Sequence, residues 1–195
     1  MTPRLFATVG GVCVLCLAGL GAVFVAGKSN HSNHASSAAA AAERGSIAVG
    51  DPIPAPTGKA VLRVTGVESG NAGAHTTAMD FRTLEQMPRV KVRVYEPFLK
   101  HSMSFSGVRM SDLLAVIGVS PSAGSIYMHA LDDYHVAFTR AQLTASGAVL
   151  ATRADGARIA IRDGGPIRII HSRSGRVAEN DDNWIWSVDR MKASR

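Results

Sequence analysis

The sequence predicts an α+β domain, a mixed β-sheet or barrel-like arrangement of short strands with a few short helices between them. Two patterns carry this reading. Short β-branched runs recur between Gly, Pro and Asp turn signals, and only a few stretches have helix start and stop signals. Size agrees with it: 195 residues, less an N-terminal leader, leave about 135 to 150 to close a single core. No internal repeat is visible.

Residues Leu5 to Gly27 form an uninterrupted apolar run preceded by Arg4. As a helix at 1.5 Å per residue it spans roughly 33 Å, enough to cross a bilayer core. Its length exceeds that of a usual cleaved signal, so residues 1–27 are expected to be a signal anchor, with cleavage after Gly27 or Ala42 as the alternative. The flanking positive charge places the remainder on the extracytoplasmic (periplasmic) side. The only cysteines, Cys13 and Cys16, lie inside this run. The exported part therefore has no thiol for a disulfide, a nucleophile or a sulfur ligand, and neither disulfide nor haem is expected. Residues 28–58 are rich in Ala, Ser, His and Pro and read as a disordered tether. His31 and His34 fall there, two ligands where a metal site normally needs three or four.

The domain is placed at 59–192. Ala60 to Val67 reads as a strand. Asp80 is an N-cap for Phe81 to Met87, a helix stopped by Pro88. Val90, Val92 and Val94 alternate with Lys91, Arg93 and Tyr95, the pattern of a strand with one core face. Ser111 is expected to cap Asp112 to Ile117, with Gly118 as the stop. Two strands, Ser125 to Ala130 and His135 to Phe138, flank the turn at Asp132, Asp133 and Tyr134, and Thr139 to Leu143 is a helical turn. From Ala151 to Ser174, turns at Asp155-Gly156 and Asp163-Gly164-Gly165-Pro166 separate two further β-branched runs, both read as strands. Arg168 lies inside the second, and His171, Arg173 and Arg176 follow where side chains leave the sheet, a place where an anion can be met.

Charge and motifs exclude several functions. The formal net charge is +6, yet from Glu43 onward 19 Lys and Arg face 15 Asp and Glu, a surplus of four. Aromatics are 6% of the chain, and no helix-turn-helix or RNA-reading signature is present, so nucleic acid is not an expected partner. Gly164-Gly165-Pro166 is a turn, since no G-x-G-x-x-G or Walker pattern accompanies it. No nucleophile elbow supports a Ser-His-Asp triad.

A set of ordered features resembles one family. Gly-Gly-Pro is followed by Arg168 in a hydrophobic strand, with a Trp-rich last strand, Asn183 to Met191, beyond it. Upstream come Phe105-Ser106-Gly107-Val108 leading into Ser111-Asp112-Leu113-Leu114, then Ala130 to Tyr134, then Leu150 to Arg153. In this order, over roughly Ala60 to Met191, the chain is similar to the sulfite-oxidase-type molybdopterin-binding domain. The resemblance implies that fold and a molybdopterin-like ligand. In the family's catalytic members a Cys thiolate binds molybdenum just after the strand preceding the Gly-Val motif. Here that neighbourhood reads Val94-Tyr95-Glu96-Pro97-Phe98, without cysteine, and neither Tyr nor Glu replaces soft sulfur donation. Catalytic and metal residues are accordingly expected to be none. Small stand-alone domains similar to this one include periplasmic pterin-binding proteins that signal to a membrane partner controlling cyclic-di-GMP, which implies the same class of partner here.

A pterin ring needs flat faces, and its pyrimidine edge presents donors that a carboxylate accepts. Trp184, Trp186, Tyr95 and Tyr134 are the candidate faces; Glu96, Asp132 and Asp133 are the candidate acceptors; Arg168, His171 and Arg173 are the donors for a phosphate. Bland readings stand beside these. Trp184 and Trp186, at i and i+2 of a strand, equally suit a core. Arg168 equally suits a structural carboxylate such as Asp189. Asp132 and Asp133 at a turn are more often solvated turn residues than acid-base partners. The leading expectation is a membrane-anchored domain that binds a pterin without catalysis. A molybdenum oxidoreductase with an unusual ligand near Tyr95 and Glu96, and an adaptor with a degenerate pocket, are the alternatives.

Overall fold

The computed structural model describes residues 42–43, 45–67 and 75–194. The apolar run at 1–27, both cysteines, His31 and His34 lie outside them. Among the described residues no helix is long and apolar enough to cross a membrane.

The elements in chain order are β1 (Ala42–Glu43), β2 (Leu62–Val67), β3 (His75–Met79), α1 (Phe81–Glu85), β4 (Arg89–Glu96), β5 (His101–Arg109), α2 (Met110–Val116), β6 (Ser125–Ala130), β7 (His135–Phe138), α3 (Arg140–Ala145), β8 (Ala148–Ala154), β9 (Ala157–Arg158), β10 (Arg168–His171) and β11 (Val188–Ser194). They form two sheets. One has the order β1-β4-β5-β8-β10 with β9 paired to β8, the other β3-β2-β11-β6-β7. The fold is mixed α+β as expected, but both sheets stay open and no barrel closes. Every pairing is antiparallel except that of β11 with β2.

The main core lies between the sheets, where Leu62, Val64, Met128 and Met191 of one meet Val108, Leu150 and Ile169 of the other, with Leu84, Leu113 and Leu114 from the helices. A second cluster on the other face of the first sheet gathers Val90, Phe105, Val149, Ala151, Ile170 and Trp184. Strands β8 and β10 are thus covered on both faces, so Ala148 to Thr152 and Arg168 to His171 are buried without alternation. The stretch read as tether also contributes: Ile47 is buried in the main core and its N–H donates to the Gln86 carbonyl at 2.9 Å.

Local signals held where a side chain satisfies the backbone beside it. Asp80 caps α1, accepting from the Thr83 N–H at 2.9 Å and from the amides of Thr57 and Gly58. The Thr83 amide, above all, holds its carboxyl well below the usual carboxylate range against the opposing effect of burial. Thr139 and Gln142 make a reciprocal capping box on α3. Two expectations are corrected. Helix α2 starts at Met110, not after Ser111; Met110 is fully buried, and the Ser111 hydroxyl bonds Asp112 and caps nothing. The run after Asp155-Gly156 pairs only over Ala157–Arg158 and then winds into a 3-10 turn at Ile161–Asp163. There the Arg158 guanidinium leaves the sheet to reach Glu85 and lie 4.0 Å from the Phe81 ring centre.

Candidate functional site

The site is built from the end of β4 outward. Alternation along β4 places Val90, Val92, Val94 and therefore Glu96 on one face, and Glu96 is buried, with 0% exposure. The hairpin to β5 turns over four residues, with the Lys100 N–H on the Glu96 carbonyl at 2.8 Å. Its turn returns the Leu99 N–H to Glu96 Oε2 at 2.5 Å, while the Trp186 indole N–H donates to Oε1 at 3.2 Å. Arg168 Nη1 stands 3.6 Å from the same Oε1.

Arg168, 2% exposed, projects from β10 on the face it shares with Ile170. Its Nη2 donates to the Asp163 carbonyl, and its guanidinium lies 3.9 Å from the Trp186 ring centre. Among the described residues its Nε and Nη1 have no hydrogen-bond partner. Burial pushes this guanidinium's pKa down, with Glu96 and then Asp163 opposing. Trp186 comes this close because Gly164 sits at φ +77 without a side chain; a Cβ there would be 2.5 Å from Trp186 Cε3. The far edge of Trp186 meets Phe98 at 5.6 Å and 78°.

Two clefts open beside this buried group. The first, about 340 Å³, is walled by Phe98, Tyr134, Trp184 and Trp186 and rimmed by Asp132, Asp181 and Asp182. Tyr134 donates to the Asp182 carbonyl at 2.7 Å, and burial, followed by the Asp182 charge, pushes its phenol above the ordinary value, so it stays a neutral donor. The second, about 420 Å³, is bounded by Arg93, Tyr95, Ser172, Arg173, Ser174 and, across from them, His171 and Trp184. Trp184 is a wall of both. It is held by its indole N–H on the Ala178 carbonyl at 2.8 Å and by His171, edge-on at 5.6 Å. Burial lowers the His171 pKa, against the Asn183 contact. The neutral ring carries its proton on Nε2, which donates to the Asn183 carbonyl at 3.0 Å, leaving Nδ1 to accept from the Ser146 hydroxyl at 2.9 Å.

Residues 81–177 match the family model of the oxidoreductase molybdopterin binding domain. Those residues form a domain of that family. Among solved structures, this molybdopterin-binding-family domain is similar to the sulfane dehydrogenase SoxCD from Paracoccus pantotrophus, with a TM-score of 0.54 and 20% identity. The likeness covers 68% of this chain and 37% of that one, and shows a shared sulfite-oxidase-like fold. This chain thus corresponds to little more than a third of that protein. No curated protein matches it.

The residues anticipated from sequence divide between these features. Asp132, Tyr134, Trp184 and Trp186 meet in the first cleft, and Tyr95, His171, Arg173 and Trp184 in the second. Three expectations are corrected. The partner of Arg168 is Glu96; Asp189 instead takes His129 at 2.9 Å and Arg190 at 3.2 Å. Glu96 is engaged by Leu99, Trp186 and the Arg168 charge and does not stand free for a ligand in this conformation, whereas Arg168 keeps Nε and Nη1 without a hydrogen bond among the described residues. Asp133, at φ +66, turns outward to His129 at 3.3 Å. The tryptophans are not in the last strand: they follow a 3-10 turn at Asp181–Asn183, joined to the sheet by one bridge between Ile169 and Ile185. Phe98, Asp181, Asp182 and Arg93 were missed. Their signals were adjacency, Phe98 to Glu96, the aspartates to Trp184, and Arg93 to the outward set of β4.

The family implies molybdopterin, and the two halves of that group fare differently here. The described residues include no cysteine, and the segment expected to hold the thiolate presents Glu96, whose oxygens already accept from Leu99 and Trp186 and face Arg168. Nor is there among the described residues a cluster of three His, Cys, Asp or Glu able to hold a metal. This donor set does not fit thiolate-bound molybdenum. The organic part does fit: a cleft of four aromatic walls and three carboxylates suits a flat ring with an amino-pyrimidine edge, and the neighbouring Arg93 and Arg173 suit a phosphate.

Proposed function

We propose that this domain binds a pterin-type heterocycle and acts through occupancy, without redox turnover. The observation that carries the reading is Glu96, buried and fully engaged where the resemblance puts a metal-binding thiolate, directly beside the aromatic cleft rimmed by Asp132, Asp181 and Asp182. In this reading the ring lies between the aromatic walls, the carboxylates accept from its pyrimidine edge, and any phosphate reaches Arg93 and Arg173. Support for a location outside the cytoplasm comes from the apolar run at Leu5 to Gly27. There the occupied domain passes its state to a membrane signalling partner, through contacts that differ between free and bound forms.

Titration of the full chain, purified in mild detergent, with oxidised and reduced pterins tests this. Binding is expected to quench pterin fluorescence, to weaken about ten-fold in Asp181→Asn/Asp182→Asn as charge-assisted bonds are lost, and to occur in protein carrying no molybdenum. Failure of every pterin to bind, or one molybdenum per chain after growth on molybdate, overturns it.

A further inference from the structure

A third cleft, about 720 Å³, shares no lining residue with the two aromatic clefts. It lies between the chain leading into β2, the start of α1 and the segment around Ile159 to Pro166. Four cations line it: Lys59, Arg63, Arg82 and Arg158. Both acids in its lining are already committed. Asp80 accepts from three backbone amides and two threonine hydroxyls, and Asp189 is bonded to His129 and Arg190. Arg158 is shared with Glu85 at 3.3 Å and packed on Phe81, while Lys59, Arg63 and Arg82 make no ion pair among the described residues.

Between these cations lie apolar surfaces from Val61, Phe81, Ile159 and Pro166, and at the rim Leu131 and Ile161 are 52% and 62% exposed. A purely solvated basic surface has no need of exposed Leu and Ile, and an apolar contact has no need of three cations that make no ion pair among the described residues. The volume lies in the range of small-molecule sites. We propose that this cleft is a second binding site, for an organic polyanion of up to nucleotide size whose phosphate or carboxylate groups meet Arg63, Arg82 and Lys59 while its body covers the apolar surface. Each guanidinium added to such a contact strengthens it by charge-assisted hydrogen bonding, and the apolar body adds a term that a bare anion lacks.

Calorimetric titration of the full chain in detergent, with ATP, inorganic pyrophosphate and adenosine as probes, decides it. ATP is expected to bind at least about ten-fold tighter than either fragment, because charge and apolar contact act together. Lys91→Glu/Arg176→Glu, at exposed positions outside the three clefts, is expected to leave ATP affinity unchanged, and the Arg63→Glu/Arg82→Glu variant to lose about a hundred-fold. Both arginines are exposed, so an unchanged melting temperature is expected; should that variant not fold, Lys59→Glu carries the same test with about a ten-fold loss. The proposal is overturned by absent ATP binding, by pyrophosphate or adenosine binding as tightly as ATP, by undiminished affinity in the Arg63 and Arg82 variant, or by an equal loss in the Lys91 and Arg176 variant.

Discussion

Replacing Glu96 by Gln leaves the Arg168 guanidinium charged, buried and without its carboxylate. The two groups stand 3.6 Å apart, with side chains 0% and 3% exposed. At an effective dielectric of about 20 that separation corresponds to about 4 to 5 kcal/mol of attraction, and removing one partner of a buried pair typically costs about 3 to 5 kcal/mol. For a domain of this size the loss lowers the melting temperature by about 6 to 20 °C. It is a large part of the roughly 5 to 15 kcal/mol that holds a domain together. Urea unfolding followed by the fluorescence of Trp184 and Trp186 measures it, with the m-value as a check that the same surface unfolds. The paired variant Glu96→Leu/Arg168→Met is expected to recover most of the loss, since two apolar side chains leave no unpaired charge. A Glu96→Gln protein within about 1 kcal/mol of the parent, or additive effects of Glu96→Gln and Arg168→Met in a double-mutant cycle, would refute the coupling.

Three further outcomes are expected. Asp80→Ala removes a cap and strands the amides of Thr57, Gly58 and Thr83, so thermal unfolding should show a loss of about 2 to 4 kcal/mol; a change below about 1 kcal/mol contradicts the role. His171 has its pKa lowered by burial, so the unfolded chain takes up a proton that the folded one refuses. Stability therefore falls as pH drops below about 6.5, by at most about 1.4 kcal/mol per pH unit; His171→Gln should remove that slope between pH 6.5 and 5, and equal slopes in the two proteins would count against it. Gly164→Ala forces a Cβ to 2.5 Å from Trp186 Cε3 at a left-handed backbone position. A loss of about 2 to 4 kcal/mol with a red-shifted tryptophan spectrum is expected, and an unshifted spectrum argues against the packing.

What could be seen in the sequence was what neighbouring residues settle among themselves. The alternation of Val90, Val92 and Val94, the Asp80 cap and the turn at Asp132 to Tyr134 need only a few adjacent residues, and each formed where expected. The same alternation already assigns Glu96 to the inward face, two residues beyond Val94. Its partner was out of reach. Arg168 meets Glu96 only after β10 has paired with β8 and β8 with β5, the strand hairpinned to β4. Asp189 was nearer in sequence and lost to a register that no local pattern encodes. Trp184 and Trp186 suggested a strand by their spacing, yet the buried hydrogen bonds of their indole N–H groups, to Ala178 and Glu96, fix each ring separately. The clefts depend on that choice.

Strand β11 is at once the final strand of the domain and the middle of its sheet, with Arg190 beside Arg63 on one flank and Met191 beside Met128 on the other. A nascent chain lacking those last residues therefore exposes two unsatisfied edges, on β2 and β6, at the heart of the molecule. Such a topology cannot assemble stepwise as the polypeptide emerges; closure waits for β11, and the long separation between β2 and β11 makes that closure slow. Substitutions that disturb β11 should thus act on the entire domain, with the aromatic clefts lost together with the sheet.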